Sequence, residues 1–332
     1  MSQDLPATAA HSSLAIGIDI GGTKIAGAVV DVHGTILRQD RLPTTATEPQ
    51  AIEDTVVSMV ERLSLGYELE AIGIAAAGFV DASQSVIYYA PNIDWRHEPL
   101  RTTLEARLRK PVVIDNDANA AGWAEYRFGS GKDITDMVTI TLGTGVGGAI
   151  ITGGRLFRGG FGAGGELGHL RLVPDGLPCG CGARGCFEQY ASGRALQRIA
   201  TELADAGGIG AGLSARRASD GALGAEQISS LISAGDPGAL MALREIGTAV
   251  GHACASIGAV LDPQMFVIGG GVALAGHHLL DAARAAYLDA LPARGYHPEA
   301  EFRIASLAND AGMVGAADLA RHALRERAAI VS

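Results

Sequence analysis

Cys179, Cys181 and Cys186 put three of the chain's four cysteines into the loop CGCGARGC. Thiolates at this density in a reducing compartment point to a metal rather than to disulfides. His169, the nearest upstream histidine, completes Cys3His, the donor set of a tetrahedral zinc site. A catalytic zinc keeps one position open, so four protein ligands predict a structural ion. Cys254 stands alone in an apolar stretch of helical pattern and reads as a core residue.

Carboxylates flank these ligands. Glu166 precedes His169 by three positions and Glu188 follows Cys186 by two. A metal drawing the two segments together would gather two carboxylates and an imidazole, an array of acceptors suited to neighbouring sugar hydroxyls, with the second nitrogen of His169 left to meet the ligand. A separate acidic segment, DNDANA, carries Asp115, Asn116 and Asp117. Asp117 is placed to take a proton from a substrate hydroxyl while Asn116 fixes an adjacent one, which is much of what phosphoryl transfer requires. Helix capping suits the same residue types equally well. Asp115 belongs with the strand before them and reads as structural.

Three glycine turns each follow an apolar run: Gly21-Gly22-Thr23, Gly143-Thr144-Gly145 and Gly269-Gly270-Gly271. Without Cβ atoms such turns bring backbone N–H groups close to an anion, and the hydroxyls of Thr23 and Thr144 add donors. Any one of them alone is an ordinary hairpin turn. Their repetition, with Asp19 just before the first, points to a polyphosphate clamp. Gly143 to Gly148 also fits the G-x-G-x-x-G pattern of dinucleotide sites, but the β-rich AIITGG that follows excludes the helix such a site must open.

The elements that hold these groups alternate in type. Apolar runs at Ile16 to Ile20, Ile25 to Val30 and Thr35 to Leu37 predict three antiparallel strands. The pattern returns from Ile140, where ITLGTGVGGAIITGGRLF matches IDIGGTKIAGAVVDVHGTIL from Ile18, predicting two halves of similar design. Between them, residues 51 to 63 have helical spacing, and Val112 to Ile114 form a strand with the DND triplet at its carboxyl end and a helix from Ala118. That end of a strand is where open α/β sheets bind ligands. Residues 205 to 226, rich in Gly, Ala and Ser, read as a loop or flexible insertion. A long helix up to Pro263, a strand breaking into Gly269 to Gly271 and a terminal helix complete the chain.

The chain's 332 residues suffice for two domains, and its net charge of −10 excludes a broad nucleic-acid footprint. No apolar stretch is long enough to span a bilayer, and the opening MSQDLPATAAHSS lacks the features of a signal peptide. The expectation is a cytoplasmic protein with a disordered arm over residues 1 to 12.

Taken together, DIGGTKI, DNDANA, LGTGVGG, GELGH, CGCGARGCFE and VIGGGV resemble the ROK family of actin-like sugar kinases, in family order from Ile16 to about Leu319. APNIDWRHEPL, AEYRFG and EQYASGRAL are similar to its bacterial, actinobacterial-type glucokinases. The resemblance implies an actin-like (ribonuclease H-like) ATPase fold, with a small α/β domain (13–124 plus 309–328) and a large one (125–308, with a zinc loop at 169–186) flanking a cleft. It implies transfer of the ATP γ-phosphoryl group to the 6-hydroxyl of glucose, with Asp117 as base. Gly78, Asn92, Asn116, Asp117, Glu166, His169 and Glu188 would bind the sugar. Gly21, Gly22, Thr23, Lys24, Gly143, Thr144, Gly145, Gly270 and Gly271 would face the nucleotide, and Asp19 would hold Mg2+ through water. His169, Cys179, Cys181 and Cys186 would bind Zn2+, and the chain would form a homodimer or tetramer. Mannose, fructose, N-acetylglucosamine or N-acetylmannosamine as acceptor, polyphosphate as donor, and a non-catalytic sugar sensor are the competing readings.

Overall fold

Apolar alternation along the first runs builds a meander of β1 (Leu14–Ile20), β2 (Lys24–Val30) and β3 (Ile36–Pro43), each antiparallel to the next. The computed structural model describes residues 13–44, 48–90 and 93–331. The expected arm over residues 1–12 and the candidate Asn92 lie outside them.

After the meander come α1 (Pro49–Ser64), β4 (Leu69–Ala76), β5 (Phe79–Val80), β6 (Ile87–Tyr89), β7 (Arg96–Glu98), α2 (Leu100–Leu108), β8 (Val112–Asn116) and α3 (Asp117–Phe128). The main sheet runs β3-β2-β1-β4-β8, with β1, β4 and β8 parallel, while β5, β6 and β7 form a small antiparallel sheet. β9 (Met137–Leu142), β10 (Val146–Thr152) and β11 (Arg155–Leu156) repeat the meander. They are followed by α4 (Glu188–Ala191), α5 (Gly193–Ala206), α6 (Ala211–Asp220), α7 (Ala225–Ser233), α8 (Pro237–Leu261), β12 (Met265–Gly269), α9 (His277–Ala290), β13 (Glu301–Ile304) and α10 (Ala311–Val331). The second main sheet runs β11-β10-β9-β12-β13. Its pairings, two antiparallel then two parallel, reproduce those of the first, so the repeated sequence pattern is a repeated topology.

The chain divides into two compact units, one formed by residues up to 124, 159–163 and 309 onward, the other by 125–158 and 164–308. In the first, alternation sends Ile16, Ile18 and Ile20 into a core with Val56, Met59 and Leu63 of α1. Gly17 and Gly73 point to the other face, where a Cβ on either would come 1.8 Å from a carbonyl oxygen of α10, Met313 O or Ala316 O respectively. Glycine there lets the terminal helix lie directly on the sheet. In the second unit, Ile140 and Leu142 of β9 share a core with α5, α8 and α9, and Cys254 is buried in it as expected.

The expected loop over residues 205 to 226 is a correction. It contains α6, which buries Leu213 completely and ends at Gly221 in the left-handed conformation. Alanine is the best helix former, and Gly210 and Gly212 pack closely, with a Cβ reaching 2.0 Å from Leu203 O and 1.9 Å from Asp236 Oδ2 respectively. Close packing, not flexibility, selects these small residues. No helix among the described residues is long and apolar enough to cross a membrane.

Candidate functional site

In the first unit the acidic residues gather at strand ends. Asn116 closes β8 and Asp117 opens α3, one residue earlier than the sequence pattern predicted. Asn116 Oδ1 accepts from the N–H groups of Ala118 (2.9 Å) and Asn119 (3.1 Å), so it caps the helix. Its Nδ2 donates to Gly78 O at 3.1 Å, which brings that candidate residue to the same place. Capping does not exhaust Asn116: among the described residues Gly78 O takes one of the two hydrogens of Nδ2, and an amide nitrogen has two to give.

Asp117 has a lighter set of commitments. Its Oδ1 accepts from Ala118 N–H at 2.9 Å, and no other side chain among the described residues pairs with it. Burial pushes its carboxyl above the usual range, against the pull of nearby backbone N–H groups. Asp19, at the end of β1, is pushed up to about 6 by burial and then by the Asp117 carboxylate, with Lys24 opposing. The adjoining turn is closed by Gly21 N–H donating to Lys24 O at 3.0 Å. Gly22, Thr23 and Lys24 are exposed at its tip.

In the second unit, His169 and the three cysteines converge so that one ligand atom from each lies within 4.8 Å of all the others. Cys179 Sγ is 3.8 Å from His169 Nδ1, and Cys181 Sγ is 3.6 Å from Cys186 Sγ. A tetrahedron with zinc–sulfur bonds of ~2.3 Å has edges of about 3.8 Å, so these separations fit the ion. Nδ1 faces the cluster and leaves Nε2 on the other side of the ring. The Ala183 N–H holds the Cys181 thiol below its usual range, whereas burial pushes Cys179 up to about 12, so that a cation is what would bring it to thiolate. Glu166 stands one 3-10 turn before His169, whose N–H donates to Glu166 O at 3.0 Å. Glu188 opens α4 with Oε1 3.1 Å from Cys179 Sγ, and its Oε2 would lie 2.8 Å from a Cβ on Gly145. One of the sequence-predicted carboxylates, Glu188, thus lies beside both a candidate metal ligand and the second glycine turn.

That turn also resembles the first in its bonding. Gly143 N–H donates to Gly145 O at 3.0 Å, closing the turn, while Gly143 O accepts from Gly193 N–H at the start of α5 (2.8 Å). Thr144 is exposed at the tip. Beside it lies a cavity of about 640 Å³ lined by Gly143, Thr144 and Gly271, with Leu196, Ile228 and Val272 among its apolar walls. Gly270 lies beneath the turn, in a left-handed conformation where a Cβ would come 2.5 Å from Leu142 O. Sequence reasoning missed the walls contributed by α5 and α7. The Ser192 N-cap before α5 was the available signal, since it marks a helix start next to the Glu188 segment.

The ROK family model matches residues 15–323. A glucokinase of Streptomyces coelicolor is 48% identical over 93% of this chain and 98% of its own length. An N-acetylmannosamine kinase of Escherichia coli is 37% identical over 92% of this chain and 98% of its own. A ROK family glucokinase from Streptomyces griseus, solved in complex with glucose and AMPPNP, has a TM-score of 0.84 at 46% identity, covering 93% of this chain and 100% of that one.

Proposed function

The chain belongs to the ROK family and has its actin-like ATPase fold, and from that premise we propose that it is a glucokinase, transferring the γ-phosphoryl group of ATP to the 6-hydroxyl of glucose. One observation carries the kinase reading: Asp117 opens a helix at the end of a parallel strand with a carboxylate almost uncommitted among the described residues. There it takes the proton of the 6-hydroxyl as the new O–P bond forms and the bond from the γ-phosphorus to the ADP oxygen breaks. A raised pKa makes it a stronger base than an ordinary carboxylate.

Asn116, Gly78, Asn92, Glu166, His169 and Glu188 hold the sugar in this reading. Gly22, Thr23, Lys24, Thr144, Gly145, Gly270 and Gly271 face the nucleotide, with Gly21 and Gly143 closing the turns. The cavity beside Thr144 supports ATP as donor. Leu196, Ile228, Ile232 and Val272 offer a nucleobase apolar walls, and among the described residues Arg194 is the one cationic member of the lining, too little for a polyphosphate chain. Mg2+, when bound, supplies charge neutralisation at the phosphates, and Asp19 is the residue that would hold it through water. Zinc would be structural: His169, Cys179, Cys181 and Cys186 are the four ligands that would hold it, and Cys186 stands two residues before Glu188.

Glucose is preferred over N-acetylmannosamine because the glucokinase relative is nearer by 48% against 37% identity at similar coverage. The use of ATP and the reduced thiols suit the cytoplasm, and assembly as a homodimer or tetramer belongs to the same reading. The test is a coupled assay of glucose, mannose, fructose, N-acetylglucosamine and N-acetylmannosamine with ATP or polyphosphate. Glucose with ATP should give the highest kcat/KM, and any other best pair overturns the assignment.

A further inference from the structure

Gln84, in the loop between β5 and β6, has a φ of +56°, a left-handed conformation that favours glycine or asparagine over a longer side chain. Its loop is tightly built. Asp81 accepts from the N–H groups of Ser83 (3.2 Å), Ser85 (2.7 Å) and Val86 (2.7 Å), and Asp81 O accepts from Gln84 N–H at 2.9 Å. From this anchored position the Gln84 amide crosses to β8. Nε2 donates to Asp115 Oδ2 at 3.0 Å and more weakly to Ile114 O at 3.4 Å.

Asp115 is buried and passes the constraint on. Its Oδ1 accepts from Asn116 N–H at 2.9 Å and from Asn119 Nδ2 at 3.0 Å. One bond fixes the backbone immediately before Asp117 and the other fixes the first turn of α3. Asn116 then caps that turn and ties it to Gly78. Gln84 thus stands at the outer end of a chain of hydrogen bonds that sets the direction in which Asp117 leaves the strand. A residue in an unfavoured conformation, kept there by its own loop, brings an amide where glycine would bring none.

We propose that Gln84 is a positioning residue for phosphoryl transfer: by holding Asp115 from the β5–β6 loop, it fixes the turn that presents Asp117 to the sugar hydroxyl. This rests on the reading of Asp117 as the base. Misplacement of a reacting group by about 1 Å can cost about 10²-fold in rate.

Two substitutions separate these effects. Gln84→Gly and Gln84→Asn both suit the left-handed backbone, yet neither reaches Asp115, so they remove the bond without imposing strain. The expected result is a kcat lowered about tenfold or more, with the thermal midpoint unchanged or raised and the KM for ATP unchanged. Gln84→Lys, whose ammonium reaches Asp115, should recover most of the loss. The proposal is overturned if Gln84→Gly keeps wild-type kcat, or if activity falls only in step with thermal stability. Asp117→Asn is measured alongside. If it stays fully active, both the base assignment and the positioning role are wrong; if it is inactive while Gln84→Gly is normal, only the positioning role falls.

Discussion

Glu188 brings Oε1 to 3.1 Å from the Cys179 sulfur, while its Oε2 occupies the space a Cβ on Gly145 would need. One carboxylate thereby joins the metal loop to the turn between β9 and β10.

Gly145→Ala tests the turn side of this link. The added Cβ would come 2.8 Å from Glu188 Oε2, the far end of a flexible side chain, so the fold absorbs it cheaply while the carboxylate must leave its place. The expected outcome is a thermal midpoint close to wild type with a glucose KM raised about tenfold. Isothermal titration with glucose checks it, and unchanged affinity would separate Glu188 from the sugar.

Cys181→Ala tests the metal side. Cys181 is the exposed member of the cluster, so truncation leaves no large cavity, but it removes one of four ligands. Zinc content should fall from about one ion per chain, and the glucose KM should rise about ten- to a hundredfold, because Glu188 and His169 lose their common anchor. Metal analysis beside steady-state kinetics reads both. A zinc-depleted variant with normal glucose affinity would show that the ion does not shape the sugar site.

Asp117→Ala should lower kcat by about 10²- to 10⁴-fold, the usual contribution of a positioned base, while glucose still binds. Burial disfavours the Asp117 charge in the folded chain, so its removal should leave the thermal midpoint equal or higher. Loss of activity together with loss of folded signal would instead assign Asp117 a structural role.

Much of this was legible because the chemistry restricts the residue types. Three thiols and an imidazole within one short segment are the donor set of a structural zinc site, which made Cys179, Cys181, Cys186 and His169 stand out, and the meanders announced themselves through apolar runs broken by glycine. The cavity walls were not legible. Leu196, Ile228 and Val272 would present to a nucleobase the same apolar surface that they present to the core, so their sequence pattern does not distinguish the two. α6 was hidden by Gly, Ala and Ser, whose small size serves close packing as well as flexibility. Gln84 was invisible for a third reason: its contact depends on a left-handed φ and on Asp115, 31 positions away.

Asp19 sets a pH dependence of stability. Its carboxyl is raised from 3.8 to about 6 in the fold, so the folded state favours the protonated form. The stabilisation is fully present below the unfolded value, about pH 4, and is lost as pH rises through about 6. Asp19→Asn keeps a neutral polar group throughout. In the ligand-free protein the thermal midpoint of this variant relative to wild type should therefore be nearly level at about pH 4 and increasingly favourable towards pH 7. A difference independent of pH would mean that Asp19 is not raised.

Gly73→Ala addresses the packing that holds the first sheet against α10. A Cβ at Gly73 would lie 1.8 Å from Ala316 O and 2.3 Å from its carbonyl carbon, and both belong to helix backbone that has no rotamer to adopt. The helix must lift from β4, or the strand must bend. Either distortion opens the buried contact among Ala71, Val113 and Ala320 on that face. Overpacking of a well-packed core costs about 1–3 kcal/mol, and backbone as the obstacle puts this substitution at the upper end or beyond. Urea unfolding should show a midpoint shifted down with an unchanged m-value. A loss below about 0.5 kcal/mol, the scale of an ordinary surface change, would mean that α10 does not lie as close to β4 as described.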